Sequence, residues 1–167
     1  MSLVDRIVES PDDWTAARVI NELPLCMYEE ADRRRDPDIP PWLREVLVVC
    51  DFDTHLQMEG LLGWFENRAS EDLRLVADAL RSVGMPSDAR LLEEAATVLV
   101  PSRLDAETPF EIGSVSSFAE RHPAVTSQQY ARIHELENRL YLKDAAAADP
   151  YALLIAHAAS GLASTAM

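Results

Sequence analysis

The chain is poor in the residues that build turn-rich folds, disulfide frameworks and cysteine metal sites. Its five glycines in 167 residues are too few for the tight turns of most sandwiches and barrels. Cys26 and Cys50 are its two cysteines. Neither has a neighbouring thiol at metal-site spacing, which excludes a paired-cysteine site and suits reduced thiols in a cytosolic core. Lys143 is the single lysine, a bias expected of a GC-rich bacterial genome. The start, Met1-Ser2-Leu3-Val4-Asp5, has no basic region followed by an apolar one, so a signal peptide is not expected. The most apolar stretch, Tyr151 to Ala159, contains His157 and is too short to span a bilayer. A cytoplasmic protein with no membrane contact is the expectation.

What is abundant is negative charge. Asp and Glu number 29 against 15 Arg and Lys, a net charge of −14. Residues 1–50, 51–100 and 101–167 contribute −5, −6 and −3. No acidic block exists, so any negative surface must be assembled by folding. Phosphates would be repelled, which argues against direct binding of nucleic acid or anionic membranes. With 48% hydrophobic residues the chain has material for a core and is not a disordered acidic tail.

Helix signals dominate, and no stretch alternates with period two, so the fold class expected is all-α. The arrangement expected is a single-domain bundle of about six to eight helices around a buried central one. Helical flanks at 10–35 and 126–161 border a middle stretch, about residues 41–100, that is set apart by its resemblance to a known family. Ser10-Pro11-Asp12-Asp13 reads as a capped helix start, followed by Trp14, Ala17 and Ile20, with a break at Pro24. Arg33-Arg34-Arg35 reads most simply as a favourable charge cluster at a helix C-terminus, with an anion site as the minor reading. From Pro41 to about Glu59 apolar residues occupy two faces, which marks a buried helix. Gly60 and Gly63 bracket a turn into Trp64-Phe65. Ser70 caps the next helix, Gly84 terminates it, and Pro86 opens another that ends at Pro101. Residues 101–125 are the least regular. Thr126-Ser127 begins a helix, and Asp149-Pro150 caps a last one ending near Gly161.

Chemistry is harder to find. The stretch Asp51-Phe52-Asp53-Thr54-His55 starts like a calcium loop but has Leu56 and Leu62 where glycine and a bidentate acid are needed. On a helix, Asp51, His55 and Glu59 fall at i, i+4 and i+8 and share a face. They are weak candidates for a divalent cation or for a carboxylate-tuned histidine base. A metal would require another ligand, for which His134 with Glu137 or Asn138 is a guess. The bland alternative is a solvated stripe. No catalytic residue is nominated and no cofactor is expected.

The run DTHLQMEGLLGWFENRASEDLRLVADALRSVGMPSDARLLEEAATVL, from Asp53 to Leu99, resembles a bacterial DNA-mimic-like family of unknown function that includes an acidic DNA-mimic protein. Gly60, Trp64, Phe65 and Asn67 fall on the family's motif positions, and Ala79-Leu80 through Gly84 match its helix end. Met58 and Glu59 stand where the family has Asn and a first Gly, Leu61 replaces Phe, and Gly63 replaces Gln. The motif residues have a structural account: Gly60 permits a turn or close approach, Trp64 and Phe65 fill the core, and Asn67 bonds backbone groups at a helix boundary. The resemblance implies a non-enzymatic, acidic protein-binding module that presents carboxylates in place of phosphates to a basic, DNA-binding protein. The carboxylates nominated are Asp51, Asp53, Glu59, Glu66, Glu71, Asp72 and Asp78. The alternatives are a small metal-dependent or acid–base enzyme using Asp51, His55 and Glu59, and an immunity-type inhibitor of a basic effector.

Overall fold

The computed structural model describes residues 1–26, 30–67, 69–99, 125–144, 149 and 151–165, with the backbone alone at 31 and 69–71. Among them are seven α-helices and no strand. These are α1 (Leu3–Glu9), α2 (Ala16–Glu22), α3 (Pro41–Asn67), α4 (Ala69–Ser82), α5 (Pro86–Leu99), α6 (Ser127–Glu137) and α7 (Ala152–Thr165). Short 3-10 turns occupy Pro11–Asp13, Leu23–Cys26, Ala31–Arg35 and Tyr141–Lys143. The least regular stretch of the sequence, 101–125, lies outside the described residues except for Val125.

The central helix is α3, against which α4, α6 and α7 pack. Leu43, Val46, Leu47, Val49, Phe52 and Leu56 are all buried, as the two-faced apolar spacing requires. Each fully buried leucine or phenylalanine contributes about 1.5–3 kcal/mol. Trp64 meets Phe52 and Phe65 edge to face at 5.1 and 5.2 Å, an arrangement the ring quadrupoles favour.

Helix α3 does not stop at Gly60. It kinks there, with φ 72° and ψ 176°, and resumes through Gly63 to Asn67, so the expected apolar turn is a bend within a helix. The break frees the amide of Leu61, and Glu137 of α6 accepts it at 3.0 Å. A Cβ on residue 60 would sit 3.3 Å from that carboxylate. Glycine is therefore required by the positive φ, and the tight approach of the carboxylate adds to the preference.

Gly84 ends α4 with φ 87°. The amide of Met85 bonds the Leu80 carbonyl at 2.7 Å and that of Gly84 bonds Arg81 at 3.1 Å, a Schellman ending. Thr126 caps α6 in a reciprocal box with Gln129. Other ends depart from expectation. Ser10 makes no side-chain cap; Pro11–Asp13 is a 3-10 turn, and α2 begins later under Thr15, which accepts from Arg18. Ser70 lies inside α4, which starts at Ala69. Helix α7 runs past Gly161 to Thr165, and Gly161 serves close packing instead of termination, since a Cβ there would be 2.1 Å from the Trp42 ring. The sequence reading missed α1 altogether.

Candidate functional site

Two carboxylates from different helices converge beneath the arginine turn. Asp51 projects from α3 and Asp72 from α4, and both are buried. Arg34, in the 3-10 turn Ala31–Arg35, places Nη1 2.7 Å from Asp51 Oδ2 and 2.9 Å from Asp72 Oδ2. Arg35 donates Nη2 to the other Asp72 oxygen at 2.7 Å. Arg33 turns the other way, to Asp5 at 2.7 Å and Asp36 at 2.9 Å. The triple arginine is thus a clamp between segments and not a helix-dipole cluster. Its reach spans 17 to 38 residues in sequence, a relation that local patterning cannot show.

The Asp51, His55 and Glu59 row keeps its shared face. His55 Nδ1 lies 2.6 Å from Glu59 and Nε2 lies 3.8 Å from Asp51. Asn67 donates its side-chain amide to Glu59, not to the backbone of a helix boundary. Because Asp51 is held by Arg34, the row does not present three available ligands. Among the described residues no group of three or more His, Cys, Asp or Glu side chains could hold a metal ion. His134 is exposed on α6, while Glu137 caps the kinked helix.

The nominated acids divide sharply by burial. Asp51, Asp53, Glu66 and Asp72 are buried, at 2–6% exposure. Asp53 accepts from the Tyr151 hydroxyl at 2.6 Å and from Gln57 at 3.0 Å. Burial, then the Asp53 bond, pushes the Tyr151 phenol upward. Burial next to Asp53 and Asp51 pushes the Cys50 thiol up to about 12, which keeps it an inert core group. Glu59 and Asp78 are exposed, and the side chain of Glu71 lies outside the described residues. Four of the seven therefore have their carboxylates inside the protein, not at its outer surface.

The exposed acids of α4, α5 and α6 are interleaved with arginine. Asp78 pairs with Arg74 and Arg81, Glu93 with Arg81, and Glu94 and Glu135 with Arg132. Two further carboxylates serve as buried caps that sequence reasoning missed. Asp88 accepts from the amides of Tyr141 and Leu142 at 2.9 and 3.3 Å, and Glu30 accepts from Leu3 and Val4 at 2.7 and 3.3 Å. Burial raises the Asp88 carboxyl, against the lowering by those two amides. One open cavity is lined by Arg6, Glu9, Asp13, Trp14 and Arg18. There the two guanidinium groups lie 5.2 and 4.2 Å from the Trp14 ring.

A helical domain with a glycine-kinked central helix, an aromatic cluster behind the kink and a glycine-ended fourth helix is the arrangement that the Gly60, Trp64, Phe65, Asn67 and Gly84 motif encodes. Residues 37–160 match the family model described as DMP19-like protein, and the chain belongs to that DNA-mimic family. No curated protein and no solved structure matches the chain. Among the described residues no helix is long and apolar enough to cross a membrane. The matched span begins after the arginine turn, so Asp51 and Asp72 belong to the family core and Arg33–Arg35 do not.

Proposed function

We propose that the protein is a non-enzymatic acidic module that binds the basic surface of a DNA-binding protein, with carboxylates taking the place of phosphates. The observation that carries this reading is membership of the DMP19-like family over residues 37–160, in a chain of net charge −14. Rigid helices suit the task because they hold negative charge at fixed spacing, and complementary potentials speed and select encounter. The arginine-interleaved face of α4 to α6 is a poor mimic, since phosphate rows carry no alternating cations. Better placed are Glu59 on α3, the exposed Asp32 at the start of the arginine turn and the exposed Asp38 after it. The protein is expected to act in the cytoplasm and to need no cofactor.

The test is affinity capture from a lysate of the source organism, with elution by a salt gradient and by duplex DNA. The expected result is a DNA-binding protein that moderate salt releases and duplex DNA displaces. Recovery of partners that duplex DNA leaves in place, or of none at all, would refute the reading.

A further inference from the structure

We infer that the open cavity between α1, the Pro11–Asp13 turn and α2 binds a free amino acid with an apolar side chain, held as its zwitterion. Every residue involved lies before the matched span of 37–160, so the site stands apart from the proposed partner binding. The cavity volume is about 290 Å³, at the lower end of ligand pockets, which run from about 300 to 1,000 Å³. That size suits a small ligand.

The lining carries charge of both signs. Trp14 is buried, and the guanidinium groups of Arg6 and Arg18 lie over its ring at 5.2 and 4.2 Å. A guanidinium stacked on a ring keeps its in-plane N–H fork for an anion. The fork of Arg6 is unused. Glu22 is 3.8 Å away, too far for a hydrogen bond, and the group has no hydrogen-bond partner among the described residues. Arg18 commits only Nε, to Glu22 at 2.7 Å. The negative charges are those of Glu9 and Asp13, which are exposed and have no ion-pair partner among the described residues.

This lining disfavours ligands of a single sign. A simple anion would meet Glu9, Asp13 and the field of a chain at −14, and a simple cation would meet Arg6 and Arg18. A zwitterion answers both signs, and having no net charge it is not repelled by the whole protein. Arg6 and Arg18 take the α-carboxylate through charge-assisted bonds, and Glu9 and Asp13 take the α-ammonium. Met1 and Trp14 supply the apolar wall for the side chain.

The experiment is isothermal titration calorimetry of the full chain with L-leucine, N-acetyl-L-leucine and L-leucine amide, at about pH 6 where the amino groups are protonated. The first carries both charges, the second only the carboxylate and the third only the ammonium. L-Leucine is expected to bind saturably at millimolar concentration or below. Each single-charge analogue should bind on the order of tenfold more weakly, because one charged hydrogen-bond set is lost. Arg6→Gln should weaken L-leucine on the order of tenfold and leave L-leucine amide unchanged. Glu9→Gln should weaken L-leucine about threefold, since Asp13 remains, without weakening N-acetyl-L-leucine. Neither side chain makes a hydrogen bond within the fold among the described residues, and circular dichroism checks that each variant is folded. Should Arg6→Gln unfold, Glu9→Gln decides. The absence of saturable heat with L-leucine would overturn the inference. So would binding of either analogue as tight as that of L-leucine, which would make the cavity a plain anion or cation site. Folded variants that bind L-leucine like the unaltered chain would overturn it equally.

Discussion

Arginine meets carboxylate in two quite different settings in this molecule. Around Arg34 the partners are buried, come from distant segments and share one nitrogen atom. Across α4, α5 and α6 the pairs lie in solvent, between neighbouring turns or adjacent helices. The chemistry of the contacts is the same, but the energetics are not. A buried charge depends on its partner, because water cannot replace it; an exposed one loses little. The count of acids therefore says how negative the protein is, while burial decides which of them hold the fold and which remain for a partner.

The sharpest way to break this contrast is Arg34→Ala. It takes the shared guanidinium from Asp51 and Asp72, and breaking a buried ion pair by removing one partner typically costs about 3–5 kcal/mol, a cost that Arg35, still bonded to Asp72, reduces. Urea denaturation followed by circular dichroism should show that loss. Replacing Arg34, Asp51 and Asp72 together by leucine should cost less than the single change, because no charge is then left buried. A triple variant as unstable as Arg34→Ala would mean that packing, not orphaned charge, sets the cost. Next comes Asp88→Ala, which leaves the amides of Tyr141 and Leu142 without their acceptor. One to two unsatisfied buried donors cost about 1–3 kcal/mol. Hydrogen exchange should quicken at those two amides first.

The helices written in local chemistry were legible from the sequence. Gly84 and the Leu/Ala stripes of α4 and α5 needed only neighbours, as did the Thr126 box. The features that escaped depend on residues far away. Helix α1 is so only in part: Glu30 caps its first amides from 26 and 27 residues away, but Ser2 and Asp5 also form a local capping box whose signal stands in the sequence. The kink at Gly60 is another, since Glu137 reaches its freed amide from 76 residues away. The acids of α3 held a signal that could have been used. Asp51 and Asp53 sit in a helix apolar on both faces, where a carboxylate is more often buried and paired than displayed. The row of Asp51, His55 and Glu59 was correctly placed on one face, but spacing says nothing about what else reaches that face, and Arg34 does.

Between the two settings lies Asp5, partly exposed and bonded to Arg33 at 2.7 Å. That bond, followed by those from Ser2, holds its carboxyl below the usual 3.8. A lowered folded value means stability that is present above the unfolded value and lost as pH falls through the folded one. Asp5→Asn should therefore be less stable than the unaltered chain at neutral pH, and the two should converge in acid below pH 3.8. A difference that persists unchanged into acid would show that shape, not charge, is what Asp5 supplies.

The smallest effect is expected on the exposed face. Arg132 is bonded to both Glu94 and Glu135, and by contact geometry alone it looks as well held as Arg34. Its surroundings are water, so Arg132→Ala should leave the urea midpoint unchanged within error, at low and at high salt. A loss approaching that of Arg34→Ala would collapse the distinction between the two settings. The same change has a functional edge when combined with Arg81→Ala, because Glu93, Glu94 and Glu135 would then lose their interleaved cations while Asp78 keeps Arg74. If partners bind elsewhere, affinity for a captured DNA-binding protein should rise only modestly, as expected from two fewer positive charges at a distance. A large gain would instead place the binding surface on α4 to α6, and would make the arginines there brakes on an acidic face.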